Sequence, residues 1–140
     1  VDVTVSSCIQ EASDHNITFT HQIHLPDPIP LQDHLLSSML NNILKNALEE
    51  CGRITDPDTK KKIHLAIKPY RQMLIISCVN TSTGNFYYNT KGELISQKNS
   101  PEHGYGLKRI SEIAESAGGY MKTYVDADQF TIQILLPIRE

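Results

Sequence analysis

Apolar residues recur along the chain at spacings that alternate between helical and extended periods. Helical spacing is kept by Val5, Cys8, Ile9 and Ala12, which predicts a short first helix. The apolar positions between Ile17 and Leu25 predict a strand with an irregular register. After the stiff connector "PDPIP", a long amphipathic helix is predicted from Leu35 to Gly52. Its apolar stripe consists of Leu36, Met39, Leu40, Ile43, Leu44, Ala47 and Leu48.

The second half of the chain predicts two hairpins and one more helix. Ile63, Leu65 and Ile67 alternate, "PYRQ" forms a turn, and "MLIISCV" is continuously apolar. These features predict a hairpin whose second strand is central, is buried on both faces and ends at Asn80. A helix follows the glycines of "HGYG", on the apolar positions Leu107, Ile110, Ile113, Ala114 and Ala117. "YMKTYV", "DAD" and "FTIQILLP" predict the last hairpin.

The segment from Thr81 to His103 has no apolar periodicity and is rich in Gly, Asn, Ser and Lys. It is longer than the usual connection in a compact domain, and such segments are commonly functional or disordered. Since it buries little apolar surface to offset the entropy of ordering, we expect it to be mobile without a ligand.

Composition indicates one domain over residues 1–140, because 39% hydrophobic content in 140 residues supports a single core. The net charge is −3 and basic residues are not interleaved with aromatic ones, which argues against nucleic acid as a partner. The basic run Lys60 to Lys62 is explained by a solvated loop. Three widely spaced cysteines without a C-x-x-C pair favour a reducing compartment. No apolar stretch is long enough to span a membrane.

Three asparagines, Asn41, Asn42 and Asn46, stand in the long helix although asparagine is a mediocre helix former. At about 100° per residue, Asn42, Asn46 and Glu49 form one polar strip, which we expect roughly opposite the apolar stripe. A solvated helix face is one explanation. Such faces, however, usually carry Glu, Lys and Arg, so a functional strip is the other explanation.

A second polar signal is "GYGLKRI", in which Gly104 and Gly106 directly precede helical periodicity. Glycines allow a backbone to approach an anion, and the start of a helix offers free N–H groups, so this pattern suits a phosphate. Two glycines before a helix are, however, more often just a turn. Arg109 replaces the third glycine of a dinucleotide-binding motif, and no G-K-[ST] of a P-loop is present.

Together these segments resemble the GHKL, or Bergerat-fold, ATP-binding domain of sensor histidine kinases, from about Val5 to Pro137. The resemblance is greatest to the branch of quorum-sensing and peptide-sensing kinases of Gram-positive bacteria. "NILKNALEE" is similar to the family's N-box, with Asn42 and Asn46 on its two asparagines. "EHGYGLKRI" is similar to its H-G-x-G-L box, with His103, Gly104, Gly106 and Leu107 on the pattern. The G1 box departs from D-x-G-x-G, because Asn80 stands in place of the aspartate.

The resemblance implies an α/β two-layer sandwich, with helices covering one face of a mixed, mostly antiparallel sheet. It implies Mg-ATP as cofactor, with Asn46 as a metal ligand and Asn42 beside it in the catalytic region. Asn80 would contact adenine, and a lid over about residues 81–103 would cover the nucleotide. Further binding residues implied are Lys98, His103, Gly104, Tyr105, Gly106 and Leu107, and for Lys98 a solvated loop explains the residue equally well.

The residue at position 42 also bears on the reaction. Hydrolysing members of the superfamily have a glutamate there that activates water, whereas Asn42 cannot act as a general base. The resemblance therefore implies transfer of the γ-phosphoryl group to a histidine. No histidine of this chain lies in an H-[ED]-x-x-[NT] pattern, so the acceptor is expected on a dimerisation domain outside it.

Within the family, the resemblance implies a response regulator downstream and a cytoplasmic location without direct membrane contact by this domain. Two alternatives stay open at this point. One is a serine kinase and protein-binding module like the anti-sigma factors. The other is a degenerate GHKL interaction domain without catalysis, which the altered G1 box suggests.

Overall fold

The computed structural model of the chain describes residues 2–83, 87–88, 94–96 and 101–138, with side chains described over 2–83 and 106–138. The helices are α1 (Asp2–Asp14), α2 (Asp33–Gly52) and α3 (Pro101–Ser116). The strands are β1 (Thr18–Ile23), β2 (Lys62–Tyr70), β3 (Met73–Thr81), β4 (Tyr87–Tyr88), β5 (Leu94–Ser96), β6 (Tyr120–Asp126) and β7 (Gln129–Pro137).

Five strands form the main sheet in the order β1-β2-β3-β7-β6, while β4 and β5 pair separately. The β1–β2 pair is parallel, and the three other pairs are antiparallel. Buried positions alternate along β2, β3 and β7, so one face of the sheet packs against the helices and contributes to the core. The expected two-layer α/β fold with a mixed sheet is confirmed.

Strand β3 is central, as predicted, but the prediction that it is buried on both faces is wrong. Buried and half-buried residues alternate from Met73 to Asn80, because helices cover one face only. The strand also extends one residue beyond the predicted end, to Thr81.

Both predicted hairpins are present. Arg71 and Gln72 connect β2 and β3 in a two-residue turn, each with positive φ, and Ala127 has positive φ in the β6–β7 turn. Strand β1 pairs with β2 without a break from Thr18 to Ile23, so the predicted register irregularity is wrong.

Helix α3 begins at Pro101, whereas the sequence places Gly104 and Gly106 just before the helix. Both glycines therefore lie within its first two turns. Proline suits this position, because its fixed φ is helical and its missing N–H is not needed in the first turn. The first turn carries no apolar stripe, so the periodicity reveals the helix only from Leu107 onwards. The rest of the predicted lid segment lies mostly outside the described residues.

Helix α2 packs against α1 on one side and α3 on the other. It begins at Asp33, two residues before the predicted start, and ends at Gly52 as predicted. None of the described helices has the length and apolarity that a membrane span requires.

Candidate functional site

The two asparagines of α2, Asn42 and Asn46, are half-buried, whereas Asn41 and Lys45 on the same helix are exposed. The expectation that the polar strip lies opposite the apolar stripe is therefore wrong. The buried residues of α2 cover a wide arc, namely Leu36, Met39, Leu40, Ile43, Leu44, Ala47, Glu50 and Cys51. Asn42 and Asn46 lie along one border of this arc rather than on the solvent face.

Asn42 faces the start of α3. Its Nδ2 donates a hydrogen bond to the Ser38 carbonyl at 3.0 Å, which leaves Oδ1 as its acceptor for other groups. A Cβ atom on Gly106 would lie 3.9 Å from that Oδ1. The structure thus brings together Asn42 and Gly106, which the sequence had placed in two separate motifs.

Asn80 lies at the end of β3 with only 2% of its surface exposed. Its Nδ2 donates to the Thr81 carbonyl at 2.9 Å, and this bond fixes the orientation of the amide. The Oδ1 atom and the second N–H of Nδ2 are left for a ligand, as contact with an adenine edge requires. Asn80 is also the partner of Phe130 in β7 and of Ile63 in β2, so strands on both sides hold its backbone.

The last turn of α2 is attached to the end of β3. The Cys51 thiol donates to the carbonyl of Thr81 at 3.7 Å and to that of Lys62 at 3.9 Å. The Lys62 N–H in turn donates to Thr81 Oγ1 at 3.0 Å. Just beyond, the Ser82 N–H donates to the Asp128 carbonyl at 2.7 Å. These bonds fix the position of Asn80 relative to the helix that carries Asn42 and Asn46.

Glu50 is a buried carboxylate in this last turn, with 4% of its surface exposed. Its Oε1 forms an ion pair with the Arg53 guanidinium. Burial raises the pKa of Glu50, the charge of nearby Glu49 adds to the rise, and Arg53 and a hydrogen bond with Ser82 oppose it. Glu50 was not among the site residues predicted from the sequence. The available signal was a glutamate one turn after Asn46 on the apolar side of the helix.

The remaining predicted residues are placed as follows. His103, Gly104 and Tyr105 belong to the first turns of α3, and Leu107 is buried in the hydrophobic core. Lys98 lies outside the described residues. Over the described ranges, no group of three or more His, Cys, Asp or Glu side chains could hold a metal ion. Mg²⁺ often takes only one or two oxygen ligands from protein, so the neutral amide oxygens of Asn42 and Asn46 fit the metal of a nucleotide complex.

These residues lie in a region of the chain that matches a known protein family. A family model described as "GHKL domain" matches residues 31–137. No curated protein sequence matches the chain.

Among solved structures, two nucleotide-free crystal forms of the catalytic domain of histidine kinase ThkA are similar in fold. In the first, the match has a TM-score of 0.70 at 17% identity and covers 97% of this chain and 88% of that one. In the second, the TM-score is 0.68 at 16% identity, and the match covers 97% and 90% of the two chains. The Acinetobacter baumannii histidine kinase AdeS matches with a TM-score of 0.66 at 10% identity, covering 99% of this chain and 63% of that one.

Proposed function

Because this chain belongs to the GHKL domain family, we propose that it binds Mg-ATP and donates the γ-phosphoryl group to a histidine on a dimerisation domain outside the chain. Membership of the family and the fold of histidine kinase catalytic domains support ATP binding and a kinase-type role. The observation that carries the proposal is the arrangement around α2. Asn42 and Asn46 border the helix, Gly106 faces Asn42, and Asn80 is fixed by the bonds between the last turn of α2 and β3.

The chemistry of each of these side chains suits one part of the nucleotide. Asn80 Oδ1 would accept from the amino group of adenine, in a buried position where a hydrogen bond discriminates strongly. Asn46 would supply an oxygen ligand to the metal, with Asn42 Oδ1 beside the phosphates. A neutral amide adds no negative charge next to a triphosphate. Bound Mg²⁺ would offset the charge of the β- and γ-phosphates.

Gly104 lies in the first turn of α3, where backbone N–H groups lack helical partners, and Gly106 lies in the second turn. The absence of side chains there would let phosphates approach the helix closely, since a Cβ at Gly106 would occupy space next to Asn42. His103, Tyr105 and Leu107 would contribute to binding through their positions in the same helix. Lys98 and the lid over about 81–103 are proposed to close over the nucleotide.

The reaction would be in-line transfer to an imidazole nitrogen. A P–N bond forms, the bond from the γ-phosphorus to the bridging oxygen breaks, and ADP leaves. The chain positions the triphosphate but offers no carboxylate at position 42 to activate water, so hydrolysis should be slow. We place this domain in a two-component sensor kinase of the cytoplasmic compartment, upstream of a response regulator. Membership of the peptide-sensing branch is part of this proposal.

Labelled ATP tests the proposal directly. The chain alone should bind Mg-ATP and release little phosphate. When the segment that carries the phosphoacceptor histidine of the same kinase is added, acid-labile phosphohistidine should form on it. Rapid phosphate release by the chain alone would indicate a hydrolase. Acid-stable phosphoserine on an added partner would indicate the anti-sigma-factor type of kinase, and no nucleotide binding would indicate an interaction domain.

A further inference from the structure

One carboxylate oxygen of Glu50 has no hydrogen-bond donor among the described residues. Its Oε1 pairs with Arg53, but its Oε2 is buried and has no hydrogen-bond partner in the structure. A buried polar atom left unpaired costs about 1–3 kcal/mol, more when it is charged, and such atoms are rare in folded proteins. The residues that the structure describes leave this oxygen without a donor, and a bound ligand is one source of it.

The position of Glu50 shows where that donor would come from. Asn42, Asn46 and Glu50 follow one another at intervals of four residues, and so continue along one side of α2. The neighbouring Cys51 donates to the Thr81 carbonyl, and Ser82 is one of the groups that lower the pKa of Glu50, so this carboxylate lies beside the residues that follow Asn80. Glu50 thus lies one turn beyond the proposed metal ligand, next to the end of the strand that carries the proposed adenine contact.

We propose that Glu50 Oε2 accepts a hydrogen bond from the exocyclic amino group of the nucleotide base, so that Glu50 and Asn80 together select adenine. This inference rests on the proposed function and extends it to base specificity. The amino group of adenine has two N–H bonds, one for Asn80 Oδ1 and one for Glu50 Oε2. A base with a carbonyl oxygen at that position, as in hypoxanthine, would face two acceptors and be rejected.

The orientation of Asn80 supports this selection. Its Nδ2 already donates to the Thr81 carbonyl, and a flip of the amide would bring Oδ1 against that oxygen. Asn80 therefore cannot turn its N–H₂ group toward a carbonyl base without losing a buried hydrogen bond. Two acceptors with fixed orientations favour a base with an amino group, whereas an amide that is free to rotate can bind an amino or a carbonyl base.

The test compares binding of Mg-ATP and Mg-ITP by calorimetry to the wild type, Glu50→Gln and Glu11→Gln. The wild type should prefer ATP. Glu50→Gln should reduce the ATP:ITP affinity ratio by about tenfold or more, because its amide can donate to the base carbonyl. Glu11→Gln removes the same charge from an exposed residue of α1 in the cleft between α1 and α2, and should leave the ratio unchanged. An unchanged ATP:ITP affinity ratio in Glu50→Gln would overturn the proposal, even if the affinity for both nucleotides changed.

A second measurement needs no variant. N6-methyl-ATP retains only one amino N–H, so it should bind the wild type at least tenfold more weakly than ATP if both N–H groups are used. Equal affinity would mean that Asn80 alone contacts the amino group, even if Glu50→Gln should fail to fold. A wild type that binds no adenine nucleotide would instead refute the proposed function, and the two failures are therefore distinguishable.

Discussion

Gly106 and Asn42 face each other across α3 and α2, and a methyl group on Gly106 would lie 3.9 Å from Asn42 Oδ1. That separation is an ordinary van der Waals contact, so packing between these helices does not require glycine at position 106. Glycine is also a poor residue inside a helix, where it costs roughly 0.5–1 kcal/mol relative to alanine. The proposed approach of a phosphate would account for a residue that the fold does not need and that costs stability.

Gly106→Ala should accordingly separate stability from binding. The free energy of unfolding in urea should rise by about 0.5–1 kcal/mol, while affinity for Mg-ATP falls because the methyl group occupies the space proposed for a phosphate. Gly52→Ala is the matched control, since a Cβ there meets no atom within 4 Å and the residue lies at the far end of α2. Full ATP affinity in Gly106→Ala would place the phosphates elsewhere.

Asn46→Ala tests the metal ligand. If Asn46 Oδ1 binds Mg²⁺, the variant should lose about 1–3 kcal/mol of binding free energy for Mg-ATP and much less for ATP in EDTA. Asn41→Ala provides the control, because Asn41 is exposed and lines the cleft with α1. Equal losses with and without the metal would remove Asn46 from the coordination sphere.

Much of the fold follows from the apolar pattern alone. The stripe from Leu36 to Ala47 and the alternation around Leu65 each reflect burial on one face, and burial is what periodicity records. The pattern failed for MLIISCV, since a run of Ile and Val in a strand is compatible with one or two covered faces. It also failed at the start of α3, where the first turn from Pro101 carries no apolar stripe.

The site could be predicted less completely. Asn42, Asn46 and Asn80 attract notice because asparagine is unfavourable or costly where they stand. Glu50 does not, because a glutamate in a helix is ordinary, and only the structure shows it to be buried with an unpaired oxygen. The relation of Asn42 to Gly106 also needed the structure, since it depends on the packing of α2 against α3.

Gly119→Ala should destabilise the fold strongly. Gly118 has positive φ just after the end of α3, and Gly119 directly precedes β6. A Cβ on Gly119 would lie 2.0 Å from the Leu135 carbonyl oxygen, so the backbone of β7 or β6 would have to move. We expect a loss of about 3 kcal/mol or more in urea unfolding, as for other severe steric changes. Stability equal to that of Gly52→Ala would show that the β6–β7 pair yields easily.

The three cysteines should be unreactive in the folded protein. Cys8, Cys51 and Cys78 are free and buried, and burial raises the pKa of Cys8 and of Cys51 to about 11 and that of Cys78 further. Little thiolate is therefore present at pH 8, and access is poor. Alkylation by iodoacetamide should be slow in buffer and should reach all three sites in urea. Rapid labelling of Cys51 in buffer would mean that the contact between α2 and Thr81 opens readily.

Glu50 should make stability depend on pH. Burial raises the pKa of its carboxyl group above 4.5, its ordinary value, so the folded protein holds this proton to higher pH than the unfolded chain does. The contribution of Glu50 to stability is therefore fully present below about pH 4.5 and is lost as pH rises through the folded-state pKa. Glu50→Gln has no such proton, so the unfolding free energy of the wild type minus that of the variant should fall over this interval and then level off. Arg53→Met removes the cation that opposes the rise, and the fall should then extend to higher pH. A difference that increases with pH would mean that Arg53 and Ser82 outweigh the cost of burying the charge.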